Sequence, residues 1–220
     1  GMDSPFDETQ MKVGRRLAMK VLNASKFILA PVAEHGLTRD AAAITAPADL
    51  AMLAALRSVI ADATAAFETF DYTPALEATE RFFWSFCDDY LELVKGRAYD
   101  ADDAAGSASA RAALAVALST LHRLFAPFLP YVSEEVWSWW KEGSIHRTAW
   151  PEAAALRELA GDGDPLVLEV AADVLGEVRK AKTAAKVSLR AEVQRALVRD
   201  TPERLAALLA KGVSGDPAAL

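Results

Sequence analysis

Lys12-Val13-Gly14-Arg15-Arg16-Leu17-Ala18-Met19-Lys20-Val21-Leu22-Asn23-Ala24-Ser25-Lys26-Phe27-Ile28 is the stretch whose periodicity decides the fold. On a helical wheel Leu17, Val21, Ala24 and Ile28 share one side, and Ala18, Leu22, Ser25 and Leu29 widen it into a face broad enough to lie inside a bundle. A second stripe holds Lys12, Arg16, Lys20, Asn23 and Phe27 at the spacing of helical neighbours. Three cations, an amide and an aromatic ring in a row suit single-stranded RNA: the ring stacks a base, the cations meet phosphate, and the amide reaches a base edge. A solvated cationic stripe ending in a core phenylalanine has the same spacing, and spacing alone does not separate the two.

Two further stretches bear on the choice. Phe83-Trp84-Ser85-Phe86-Cys87-Asp88-Asp89-Tyr90-Leu91-Glu92 is an aromatic helix with an acidic centre. Pro127-Phe128-Leu129-Pro130-Tyr131-Val132-Ser133-Glu134-Glu135-Val136-Trp137 leads into Gly143-Ser144-Ile145-His146-Arg147 and Ala149-Trp150-Pro151. With Gly14-Arg15-Arg16-Leu17-Ala18 and the Lys20, Asn23, Ala24, Lys26, Phe27 series, they resemble the anticodon-binding domain of class I aminoacyl-tRNA synthetases in its valyl form. The resemblance covers about the first 150 residues, and the Gly-Ser-Ile-His tail favours the valyl over the isoleucyl and leucyl forms.

It implies a mainly α fold, the anticodon-binding helical bundle of class Ia synthetases, with a valine-specific tRNA, tRNA(Val), as partner. Valine anticodons end in A-C. Phe27 would stack a base and Lys20 read one, by match to the motif. Asn23 at a base edge and Arg16 and Lys12 on phosphate follow only from sharing the stripe. The rival readings are the same domain of an isoleucyl or leucyl enzyme and a helical interaction module with no RNA role.

Composition agrees with helices. Just over half of the 220 residues are apolar, chiefly Ala and Leu. The net charge of −7 speaks against a generic nucleic-acid binder, but it is unevenly spread. Residues 1–30 carry five cations against three anions, residues 176–220 nine against five, and the middle ten against twenty-three. Cys87, the single cysteine, fits a reducing cytosol. No apolar run is expected to reach the length of a membrane span, and no signal peptide is expected. Gly1-Met2 reads as a remnant of tag cleavage, so the chain is expected to be a monomeric piece of a longer, cytoplasmic enzyme.

Along the chain, a first helix is expected from Glu8 to Ala30, stopped by Pro31, then a loop to Ala46. Pro47-Ala48-Asp49 starts a second helix ending near Phe70. Thr73-Pro74 starts a third, running to about Arg97. Asp100 to Gly106 reads as a mobile connection before a fourth helix from Ser107 or Ser109, and Pro130 opens a fifth. Gly161-Asp162-Gly163-Asp164-Pro165 marks a domain boundary, giving a helical anticodon-binding domain at 1–160 and a partial C-terminal region at 161–220. There the pattern predicts a small truncated α-β-α unit: a helix from Leu166, a strand over Glu192 to Arg199, and a helix after Thr201-Pro202. Arg179, Lys180, Lys182, Lys186 and Arg190 form a second basic group, suited to the tRNA backbone or to plain solvation.

Chemistry is expected elsewhere. The class I signatures His-Ile-Gly-His and Lys-Met-Ser-Lys-Ser do not occur, so the resemblance implies ATP with magnesium in a catalytic domain outside these residues, and no catalytic residue, cofactor or metal site is expected within them. His35, His122 and His146 lack metal-ligand spacing, and His122 and Cys87 read as core. Asp88-Asp89 and Glu134-Glu135 read as caps and solvated faces, and the tryptophans at 137, 139, 140 and 150 as packing residues.

Overall fold

Every regular element among the described residues (7–35, 41–100 and 102–209 of a computed structural model) is helical. The order is α1 (Glu8–His35), α2 (Pro47–Glu68), α3 (Tyr72–Ser85), α4 (Leu91–Ala98), α5 (Ala104–Phe125), α6 (Pro130–Ser138), α7 (Ala153–Ala160), α8 (Pro165–Ala184) and α9 (Pro202–Leu209). A π turn, Phe86–Tyr90, fuses α3 to α4, and short 3-10 turns occupy Ala41–Ala43 and Ile145–Arg147.

α2 is the axis of the bundle. Met52, Leu53, Leu56, Ile60 and Ala63 are buried, and the helix packs against α3, α5, α7 and α8. Each such Leu or Ile contributes about 1.5–3 kcal/mol by leaving water. By length and composition α2 and α5, 22 residues each, are apolar enough to cross a bilayer, contrary to the expectation from apolar runs. Here that apolarity serves the core, since half or more of the most apolar window of each is buried inside the bundle.

At the start of α2, Asp49 is fully buried and pinned from three elements. Arg97 grips its carboxylate with two bonds of 2.6 and 2.8 Å, Tyr90 Oη donates at 2.8 Å, and Ser109 Oγ donates at 2.6 Å. Ser109 in turn accepts from the backbone N–H groups of Thr45 and Ala46, both at 3.0 Å. Burial alone would lower the Arg97 pKa, but its hydrogen bonds and charge contact with Asp49 outweigh that and raise it. Burial, then the Asp49 charge, pushes the Tyr90 phenol well up.

Several expected boundaries move. α1 continues through Pro31 to His35, because a proline removes one helical hydrogen bond and the turn before it is already anchored by buried Ser25 and Ile28. The loop expected after it falls partly outside the described residues, at 36–40. α3 begins at Tyr72, ahead of the Thr73 cap, because the chain reverses at Phe70 (φ 59°) with Asp71 N–H bonded to the Ala66 carbonyl at 3.0 Å. The acidic stretch before α5 is a cap: Asp103 accepts from Gly106 N–H at 2.9 Å, so α5 starts at Ala104.

Residues 161–165 seat α8. Gly161 ends α7 with φ 50°, a Cβ on Gly163 would collide with the Leu50 carbonyl of α2, and Asp164 caps α8 by accepting from Leu166 N–H at 3.0 Å. Beyond α8 the expected α-β-α unit is corrected. No strand forms among the described residues, and Glu192 to Arg199 runs as unpaired chain beside α8, with Leu197 69% exposed. Alternation supplied the pattern of a strand but no second strand is present there to complete a ladder. Arg204 of α9 ties back to α8 through Glu169 at 2.7 Å.

Candidate nucleic-acid interface

The buried side of α1 fixes its rotation. Leu17, Val21, Ala24 and Ile28 enter the core, and Ser25 Oγ donates to the Val21 carbonyl at 2.7 Å while meeting His122 Nε2 of α5 at 2.8 Å. Because the single hydroxyl proton points at Val21, Nε2 carries the proton of the imidazole and Ser25 accepts it. Burial lowers the His122 pKa to about 4, so the ring is neutral, and its Nδ1 is buried with no partner among the described residues.

With the rotation fixed, the opposite stripe faces out. Lys12, Arg16 and Asn23 are exposed, and the Phe27 ring is 40% exposed. Lys20 is half-buried in a groove between α1 and the π turn, where its ammonium bonds Asp88 Oδ1 at 3.0 Å and lies 5.2 Å from the centre of the Trp84 ring. The neighbouring Lys26 stands 5.9 Å over Trp139. Trp139 is therefore not the packing residue expected: it is 39% exposed, whereas Trp137 is buried and Trp150 packs edge-on to Phe67.

The second basic group divides. Arg179, Lys182 and Arg190 join Lys20 and Lys95 around a cleft of about 690 Å³, against the carboxylates of Asp88 and Glu92, with Cys87, Leu175 and Val178 in its wall. Arg179 stands 3.6 Å from Asp89 and 3.7 Å from Glu92, and Lys182 donates to the Leu189 carbonyl at 3.0 Å. That last bond, with the left-handed turn at Lys186 (φ 55°), folds the chain back toward the cleft. Lys180 instead pairs with Glu177 at 2.6 Å, and neither it nor Lys186 lines the cleft. A net positive cleft in an acidic protein thus gathers cations from both ends of the chain.

Asp88, Trp84 and Lys95 were not anticipated from sequence, since Asp88 meets Lys20 across 68 positions. The acidic pair was read as caps and solvation; instead Asp88 holds Lys20, and Asp89 accepts from Ser85 Oγ at 3.1 Å and faces Arg179. Cys87 is buried and desolvation pushes its thiol up to about 12, which leaves it a packing group and not a nucleophile. Among the described residues no cluster of three His, Cys, Asp or Glu side chains gathers around a metal-sized space.

An all-helical bundle whose first helix turns a cationic and aromatic edge outward defines a class: the chain belongs to the anticodon-binding domain family of tRNA ligases, whose model matches residues 49–197. Within that family the similarity runs to valine--tRNA ligases. It is 61% identical over 198 residues to the one from Thermobifida fusca, covering 90% of this chain and 22% of that protein. It is 57% identical to the one from Cutibacterium acnes (88% and 22%) and 50% identical to the one from Salinispora arenicola (94% and 26%). The chain therefore spans about a quarter of the length of these relatives and matches their anticodon-binding part.

Proposed function

We propose that this chain reads the anticodon of tRNA(Val) on behalf of a valine--tRNA ligase. The whole cytoplasmic enzyme would attach valine using ATP and magnesium held by a catalytic part beyond these residues. The observation that carries the reading is that Phe27 and Lys20 stay reachable from solvent on a helix locked into the core along its other side. Phe27 stacks one unpaired base, Lys20 and Asn23 meet base edges, and Arg16 and Lys12 hold phosphate. Residues 1–160 carry this edge. From residue 161 on, Arg179, Lys182 and Arg190 meet the RNA backbone around the shared cleft, with Lys180 and Lys186 adding charge outside it.

The test is fluorescence anisotropy with labelled anticodon stem-loops at two salt concentrations. The valine anticodon binds more tightly than one changed at its last base, and Phe27→Ala weakens binding by about 1–3 kcal/mol. Removing Arg179 and Arg190 together flattens the salt dependence and leaves the preference between stem-loops unchanged. Equal binding of the two stem-loops, untouched by Phe27→Ala, would sink the proposal.

A further inference from the structure

The reading edge contains a group of the wrong sign for RNA. Asp88 lies against the cationic stripe with its side chain 55% exposed, bonded through Oδ1 to Lys20, which is itself 35% exposed. It stands on the π turn, an irregularity frequent at functional positions of helices. A carboxylate only accepts hydrogen bonds and an ammonium only donates them, and the Lys20 ammonium has three hydrogens, of which Asp88 takes one. Side by side at 3.0 Å, the two present an acceptor next to a donor toward solvent.

We propose that Asp88 and Lys20 act as one reader for a base whose exocyclic amine adjoins an unprotonated ring nitrogen, adenine or cytosine, with Asp88 a specificity-determining residue. This rests on the anticodon reading above. Both bases place an amine donor beside a ring-nitrogen acceptor on their pairing edge, while uracil places a carbonyl beside an N–H, in the reverse order, and guanine flanks its ring N–H with a carbonyl and an amine, so that N–H would meet the Lys20 ammonium donor to donor. The order matters because the pair is oriented. Lys20 belongs to the stripe along which Arg16 and Lys12 hold the backbone, and Asp88 lies off that stripe on the facing helix. A base reaching inward from α1 brings its ring nitrogen to Lys20 and its far substituent to Asp88. An amine there donates to the carboxylate, whereas a carbonyl would meet it oxygen to oxygen. Trp84 under the ammonium keeps Lys20 in that place. The A-C ending of valine anticodons supplies two amine-bearing bases.

The experiment measures binding of stem-loops ending in cytosine and in uracil to the unaltered chain, Asp88→Asn, Asp88→Glu and Lys20→Ala. The unaltered chain favours cytosine by about tenfold. Asp88→Asn, whose amide can both donate and accept, brings the ratio close to one while total binding holds or rises, because an anion has left the RNA face. Asp88→Glu keeps the acceptor and restores part of the preference. Lys20→Ala weakens both stem-loops. A cytosine-to-uracil ratio that Asp88→Asn leaves unchanged, while Lys20→Ala still weakens binding, overturns the assignment of Asp88 alone. No response to either Lys20→Ala or Phe27→Ala overturns the anticodon reading with it.

Discussion

Asp49 and Asp88 each face a cation, and they differ in everything else. Asp49 has no exposed surface, and Arg97, Tyr90 and Ser109 close on it, so every lone pair is spoken for. Among the described residues Asp88 has one hydrogen-bond partner, Lys20, and an open side. The first arrangement can only hold helices together. The second leaves hydrogen-bonding capacity unspent at the surface, which is what recognition of another molecule needs. The contrast separates structure from proposed function within one chain: the closed junction sets where α2, α4 and α5 lie, and the open one is the proposed reader on the edge so positioned.

The contrast breaks first at Asp49. Asp49→Ala strands the Arg97 guanidinium, three-quarters or more buried, without its counter-charge, and should cost about 3–5 kcal/mol in urea unfolding, while any chain that stays folded keeps its stem-loop preference. A smaller effect comes from a second buried contact, Ser25–His122. The folded pKa of His122, about 4, lies below its ordinary 6.5, so the unfolded chain takes up the proton first as pH falls. Stability is full above pH 6.5 and drops through the window from 6.5 to 4, by about 3 kcal/mol in all. Thermal melts between pH 6.5 and 5, above most carboxylate titrations, should show this slope, and His122→Gln should flatten it. The smallest change is expected at the open junction. Asp88→Asn or Lys20→Ala should alter unfolding free energy by about 0–1 kcal/mol, since exposed ion pairs contribute little, even though both alter RNA binding. A stability loss at Asp88 as large as that at Asp49 would erase the distinction.

What the sequence disclosed follows the same line. The buried and exposed sides of α1 were legible because helical periodicity is local, and the exposed Phe27, Arg16 and Lys12 lie where the wheel puts them. Asp49 read as an ordinary first-turn acid, because its partners sit 41 to 60 positions away. Asp88 escaped for the same reason, and nothing in Phe86-Cys87-Asp88-Asp89-Tyr90 distinguishes a π turn from continuing α-helix. The strand expected over Glu192 to Arg199 failed because alternation reports a chain with two sides but not the neighbour it would pair with.

The π turn adds a single residue to one winding of an otherwise continuous rod from Tyr72 to Ala98. Asp88 and Tyr90 ride on that winding, and Arg97 follows it, so one irregular loop of backbone keeps the two carboxylate junctions in register. Deleting one amino acid there would swing the downstream half of the rod by about a quarter turn or more. Arg97 would then leave Asp49 in the same stroke that Asp88 left Lys20. On the proposed reading, decoding and cohesion are geared together through that winding, so a change of its length is expected to do more damage than a change of its composition.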